Sequence, residues 1–336
     1  MRGTWLGAAI AAGLLLGAGT AGAQVSFAKK TLTVYIGFTA GGSYDLYGRL
    51  VARHLGEHLP GKPAVIASNM AGGGGMIAIN YLYDAAAKDG TALGMVTETI
   101  TVEQVLQNPG AKYDAAKFTY IGRVAESNNI HFMWHTSKVQ SIEDAKKIES
   151  TVAGTGPGNI AEMVPRLLNQ VVGTKFKIIS GYPASNEGMM AMEKGETDGA
   201  ESAWAAIKVG KKEWLAEKKI KIILQDVLER SPELPDVPAL PELGNTTEQK
   251  QLLSIYAGNG VIGRSIIAPP GLAPDVTKTL RDGFDEMVHD AAFKAEIEKL
   301  QIDWQPMKGP ELEASAKKLL DMPPAVRQKA MAIFGR

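Results

Sequence analysis

Thr31-Leu32-Thr33-Val34-Tyr35-Ile36-Gly37-Phe38-Thr39-Ala40-Gly41-Gly42-Ser43-Tyr44-Asp45 decides the fold. Residues 31–38 are β-branched and aromatic and read as a strand. Paired glycines stop it. A helix over 43–59 follows, with Leu46, Leu50, Val51, Leu55 and Leu59 at helical spacing and Pro60-Gly61 as its stop. Working outward, residues 63–68 and 91–97 read as strands and 74–86 as a helix. Strand and helix alternate, so the fold class is α/β, a largely parallel sheet with helices on both faces.

The same alternation resumes downstream. Residues 130–134, 151–154, 175–180, 197–202, 219–224 and 261–268 read as strands, and 160–172 and 186–194 as helices. Ser231–Pro241 carries four prolines and reads as an extended surface connection, and Pro274-Asp275 opens a long helix. Two α/β halves of similar size predict a ligand cleft at the carboxyl ends of their strands.

Composition narrows the class. Lys+Arg and Asp+Glu each number 36, so no global field favours nucleic acid or an anionic membrane. There is no cysteine, which excludes disulfides and thiolate chemistry. Residues 1–23 hold Arg2, an apolar run from Leu6 to Ala18 and the small-x-small sequence Ala21-Gly22-Ala23. That pattern predicts a secretory signal peptide cut after Ala23 and a periplasmic protein.

Three glycine-rich loops each follow a predicted strand and precede a predicted helix. They are 38–45, 68–75 (Ser68-Asn69-Met70-Ala71-Gly72-Gly73-Gly74-Gly75) and 154–159 (Gly154-Thr155-Gly156-Pro157-Gly158-Asn159). A helix start carries unpaired backbone N–H groups and about half a positive charge, and glycine lets a ligand approach them closely. One such loop would serve as a turn and cap. Three of them point to an anion site that needs no lysine or arginine. Ser43 and Thr155 add hydroxyls, Glu98 ends the third strand, and Tyr182, Ser202 and Trp204 follow or end later strands. Tyr182 and Trp204 suit either a cleft or a core.

Enzyme motifs are weak. Gly73-Gly74-Gly75-Met76-Ile77-Ala78 fits a dinucleotide pattern only formally, because any run of glycines does. His54-Leu55-Gly56-Glu57-His58 matches a zinc-protease pattern, but both imidazoles fall beside the helix's apolar arc, and no third ligand stands out. His131 and His135 share a strand face, without further ligands by motif. No catalytic residue, metal or cofactor is expected.

Phe38-Thr39-Ala40-Gly41-Gly42-Ser43-Tyr44-Asp45 with Gly48-Arg49-Leu50 resembles the "PFPAGGxxDxxAR" signature of tripartite tricarboxylate transporter substrate-binding proteins, the Bug family. Ser68–Gly74 resembles that family's "ENRPGAGG" segment. Tyr120-Ile121-Gly122, Gly154–Gly158, Lys194–Gly199, Leu234–Pro238 and Ala268–Gly271 follow in the family's order. Phe38-Thr39 stands in place of Phe-Pro, and Asn69-Met70 lacks the usual Arg-Pro.

The resemblance implies a type II periplasmic-binding-protein fold, two Rossmann-like α/β domains closing on a ligand. Residues 24–126 with 260–336 would form one domain and 127–259 the other. It implies a monomer that binds a di- or tricarboxylate or an aromatic acid and delivers it to the membrane permease subunits of a tripartite transporter. A sensor feeding a membrane kinase would share the same fold and site. The resemblance points to Thr39–Ser43, Thr155–Asn159 and the Tyr182–Ser185 loop, and with the residues read from the loops and strand ends the expected ligand-binding set is Phe38, Thr39, Ala40, Gly41, Gly42, Ser43, Gly73, Glu98, Thr155, Gly156, Pro157, Gly158, Asn159, Tyr182, Ser202 and Trp204. The first and third loops would be opposing jaws, with 182–185 at the ligand's far end.

Overall fold

The computed structural model describes residues 25–333. Eleven strands form two sheets. In chain order they are β1 (Thr31–Ile36), β2 (Ala64–Asn69), β3 (Ala92–Met95), β4 (Thr119–Ala125), β5 (Asn129–Trp134), β6 (Ser150–Gly154), β7 (Phe176–Ser180), β8 (Gly199–Ala203), β9 (Ile220–Gln225), β10 (Arg264–Ala268) and β11 (Met307–Lys308). The first sheet has the order β11-β4-β10-β3-β1-β2 and the second β7-β6-β8-β5-β9.

The opening stretch folds as its pattern requires. Leu32, Val34 and Ile36 alternate into a fully buried core with Leu50, Val51 and Phe284, while Tyr35 points to the other face. The helix Ser43–His54 buries Tyr47, Leu50 and Val51 on that core. It ends earlier than expected, giving way to a tighter turn over Leu55–His58. There Gly56 lies so close to the Pro63 carbonyl that a Cβ would sit 2.3 Å from it. The second helix also starts later, at Met76, because Gly73, Gly74 and Gly75 all have positive φ and turn left-handed ahead of it. Ser231–Pro241 is less loose than its prolines suggest. Leu234 and Ala239 are buried, and Gln225 Nε2 donates to the carbonyls of Leu234 and Val237 at 3.0 and 2.7 Å.

The sheets are mixed rather than nearly all parallel. β1 pairs in parallel with β2 and β3, and β6 with β7 and β8. β10 runs antiparallel to β3 and β4, and β5 antiparallel to β8 and β9. The reversed strands are those by which the chain enters each sheet from the other. β4 passes into β5 through residues 126–128, and the chain returns between β9 and β10. A strand arriving from across the cleft enters from the opposite end and so reverses direction.

Helices cover both faces of each sheet, giving two cores per half. The last helix, Pro324–Ile333, belongs by sequence order with the first sheet. Its Ala330 is instead buried in the second sheet's core with Leu167, Leu168 and Leu253.

Candidate ligand-binding cleft

A cavity lies between the sheets. It is lined from the first by Phe38, Gly42, Ser43, Tyr44, Glu98 and Arg264. Asn129, Asn159, Ile160, Ala184, Ser185, Glu201, Ser202 and Ala203 line it from the second. Three helices of at least two turns begin on it: Ser43–His54, Ile160–Val171 and Ser185–Glu193. The first and last have no side-chain N-cap, since Gly42 and Ala184 occupy that position. Their free N–H groups and dipoles therefore face the cavity.

The loops are held from behind. Gly41, at φ 94°, donates its N–H to Asp45 Oδ2 at 3.0 Å. Arg49 Nε and Asn69 Nδ2 donate to Asp45 Oδ1 at 2.8 and 2.9 Å, and Asn69 also ties down the Phe38 carbonyl. Burial works against the Asp45 carboxylate, but these donors outweigh it and hold its pKa below the usual range. The third loop repeats the device. Gly156 N–H donates to Glu162 Oε1 at 2.8 Å, and Ser180 and Arg166 hold the same carboxylate.

The floor is a buried arginine. Arg264, 2% exposed, donates Nε to Ser43 Oγ at 2.8 Å and Nη1 to Ser127 Oγ at 2.5 Å and Glu98 Oε2 at 3.3 Å. Its Nη2 reaches Asn129 Oδ1 at 3.3 Å, and its plane lies 4.1 Å from the Tyr44 ring centroid. Asn129 in turn donates to Glu98. Burial, then the Glu98 charge, pushes the Tyr44 phenol well above its ordinary pKa, so it stays neutral. Its stack on Phe38, at 4.6 Å, closes one wall.

The opposite wall carries Glu201, 5% exposed, which accepts from Ser185 Oγ at 3.0 Å. Burial, helped by the charges of Asp226 and Glu98, pushes its carboxyl up to about 7. Behind it, His131 Nε2 lies 2.9 Å from Asp226 Oδ2. Burial favours neutral His131, but the Asp226 charge and hydrogen bond win, and its pKa is raised.

Of the residues singled out in the sequence, Phe38, Gly42, Ser43, Glu98, Asn159 and Ser202 line the cavity. Thr39, Ala40 and Gly41 lie outside that lining, where Thr39 Oγ1 meets both Glu187 carboxylate oxygens at 2.8 and 3.0 Å. The third loop meets the second loop directly: a Cβ on Gly156 would stand 2.8 Å from Gly74 N. Gly73, Gly156 and Gly158 thus lie at or beside this loop contact, Thr155 is buried and Pro157 exposed outside the cavity lining, and Thr99 Oγ1 donates across the contact to the Gly158 carbonyl at 2.6 Å. Thr155 Oγ1 is buried without a partner among the described residues. Tyr182 turns its hydroxyl to Glu196 at 3.4 Å. Trp204 turns its indole N–H to Glu233, in a separate groove beside the crossover.

Ser185, in the 182–185 segment expected at the ligand's far end, does line the cavity, whereas Arg264, Asn129 and Glu201 were not among the site residues read from the sequence. Arg264 and Glu201 each left a signal, a charge inside a strand of small or apolar residues (Arg264-Ser265-Ile266-Ile267 and Gly199-Ala200-Glu201-Ser202). His54 pairs with Glu296 at 2.7 Å and packs edge-on to Phe293. No cluster of three or more metal-ligating side chains occurs among the described residues.

Two α/β domains joined by crossovers, with helix starts and buried polar groups facing one another across a cavity, form the frame of a solute-binding protein. The family model described as tripartite tricarboxylate transporter family receptor matches residues 48–316, and the chain belongs to that family. It is a receptor family, with a small-molecule ligand and membrane transporter partners, and not a family of enzymes. A Cupriavidus necator protein, named as a UPF0065 protein in the gbd 5' region, is 25% identical over 306 residues, 88% of this chain and 86% of its own. In fold, the chain is similar to periplasmic binding protein BugD (TM-score 0.74, 18% identity, 91% and 98% of the two chains covered). It also resembles an R. palustris protein with adipate (0.70, 18%, 91% and 97%) and MatC from Rhodopseudomonas palustris with bound malate (0.67, 18%, 90% and 98%).

Proposed function

We propose that the chain captures a small carboxylate between its two domains and presents the closed form to a membrane permease. The observation that carries this reading is the convergence of three helix N-termini on one cavity, two of them uncapped. Arg264 is committed to Glu98 and its neighbours, so backbone N–H groups are the free donors an anion would meet. The malate and adipate held by two structural neighbours fit the same chemistry.

The cavity leaves about 20 Å³ of free space, enough for about one water. A dicarboxylate therefore enters an opened form, and its differential affinity for the closed form drives capture. Closure turns on the crossovers between β4 and β5 and between β9 and β10. The domain limits 24–126 with 260–336 and 127–259 serve this reading except at helix Pro324–Ile333, which straps the first domain's end to the second core.

A thermal-shift and calorimetry screen of mono-, di- and tricarboxylates tests the proposal. No shift with any acid, together with a clear shift with sugars or cationic amines, would sink it. Gly42→Val gives the site-specific check. A Cβ there meets no protein atom within 4 Å and the backbone is extended, so the protein folds while the side chain crowds the helix start. At least tenfold weaker acid binding is expected, roughly 1.4 kcal/mol.

A further inference from the structure

Glu201 is the carboxyl in the cleft that has no cation of its own. Among the described residues lining the cavity, Arg264 is the only cation, and its hydrogen bonds go to Glu98, Ser43, Ser127 and Asn129. His131, paired opposite Glu201 on β5, draws the Glu201 pKa down but lies outside the cavity lining and is itself held by Asp226 at the end of β9. What faces Glu201 directly is Ser185 Oγ from the helix Ser185–Glu193 and, across the cavity, the Glu98 carboxylate after β3. An anion closing into this space would meet an ionised Glu201 at short range in a dry cavity, which Coulomb repulsion forbids.

We propose that Glu201 takes the ligand as a neutral acid, donating its proton in a hydrogen bond to the ligand's carboxylate, so that capture by the ionised form takes up one proton from solvent. This inference rests on the carboxylate reading of the cleft. Two carboxyl groups at such range share one proton, because both cannot ionise. The burial that already pushes the Glu201 carboxyl to about 7 makes that proton easy to acquire near neutrality. Glu201 thereby disfavours ligands that present only a donor or a cation at that point and have no oxygen to accept its proton, and it couples retention of the ligand to the pH of the surrounding compartment.

The test is calorimetry of the full mature chain with malate and with adipate at pH 6, 7 and 8, repeated in buffers of different ionisation enthalpy. Affinity should fall by up to tenfold per unit above pH 7, with proton uptake approaching one per ligand at pH 8. Glu201→Gln, which donates from its amide at every pH, should bind severalfold more weakly at pH 6 and lose the slope. A pH-independent affinity in the parent protein overturns the proton coupling while leaving the carboxylate reading intact. So does a Glu201→Gln protein that keeps the slope, which would assign the titration to His131. Failure of both acids to bind at any pH, in a protein that melts cooperatively, overturns the carboxylate reading and this inference with it.

Discussion

The two sides of the cleft are built to different rules. On the first domain, the Gly41–Ser43 turn is locked by Asp45, Arg49 and Asn69, and Arg264 is saturated with partners. Every charge there has its complement. On the second domain, the Glu162-pinned loop is equally fixed, but the Glu201 carboxyl is pushed up to about 7 and lies beside His131, whose pKa is raised by Asp226. One wall is set by geometry and the other responds to pH. The lesson is that a receptor can hold its anion grip constant and still tune what happens at the ligand's other end.

The largest effect should come from breaking the first wall. Arg264→Met leaves Glu98 buried without its cation, so a loss of 3–5 kcal/mol in chemical denaturation is expected, roughly the cost of orphaning one partner of a buried pair. Next comes the second wall. An unfolded Glu201 ionises near 4.5 and the folded one near 7, so the fold holds a proton that the unfolded chain has lost. Stability from this group is full below 4.5, declines as pH rises to 7 and is flat beyond, a swing on the order of 3 kcal/mol. Melts of Glu201→Gln should lack that decline and lie above the parent at pH 8. His131 works in the same direction, its contribution lost as pH rises through its raised pKa.

Asp45→Asn probes the other sign. Its depressed pKa gives stability that is present above the ordinary carboxylate range and lost as pH falls through the folded value. The substitution should cost about 1–2 kcal/mol at pH 7 and progressively less as pH falls below the ordinary carboxylate range, by denaturant titration across that range. The smallest effect belongs to the contact that joins the walls. Thr39→Val removes the hydroxyl that reaches Glu187, and about 1 kcal/mol less closure should appear as roughly fivefold faster ligand release in stopped flow.

The strand–loop–helix at 31–54 was legible because its burial pattern and its turn obey local rules. The same rules located the three helix starts that face the cavity, read at 43, 160 and 186 and found at Ser43, Ile160 and Ser185. They did not reveal that β5 and β10 run against their neighbours, since direction follows from where the chain re-enters a sheet. Nor did they reveal the partners of Arg264, which lie 135–221 residues away in sequence. Thr155 and Gly156 looked like ligand contacts because a glycine turn before a helix reads alike whether it meets an anion or another loop. Here, Gly156 meets Gly74.

That last contact reaches beyond binding. Where Gly74 and Gly156 meet, the domains touch backbone to backbone, with no side chain in between. A single methyl group at either position is a doorstop. At some cost in strain to the left-handed turn that carries it, it would leave the pocket stocked with every donor and acceptor, yet hold the molecule ajar, a form that fills and empties without ever displaying the shape a permease reads.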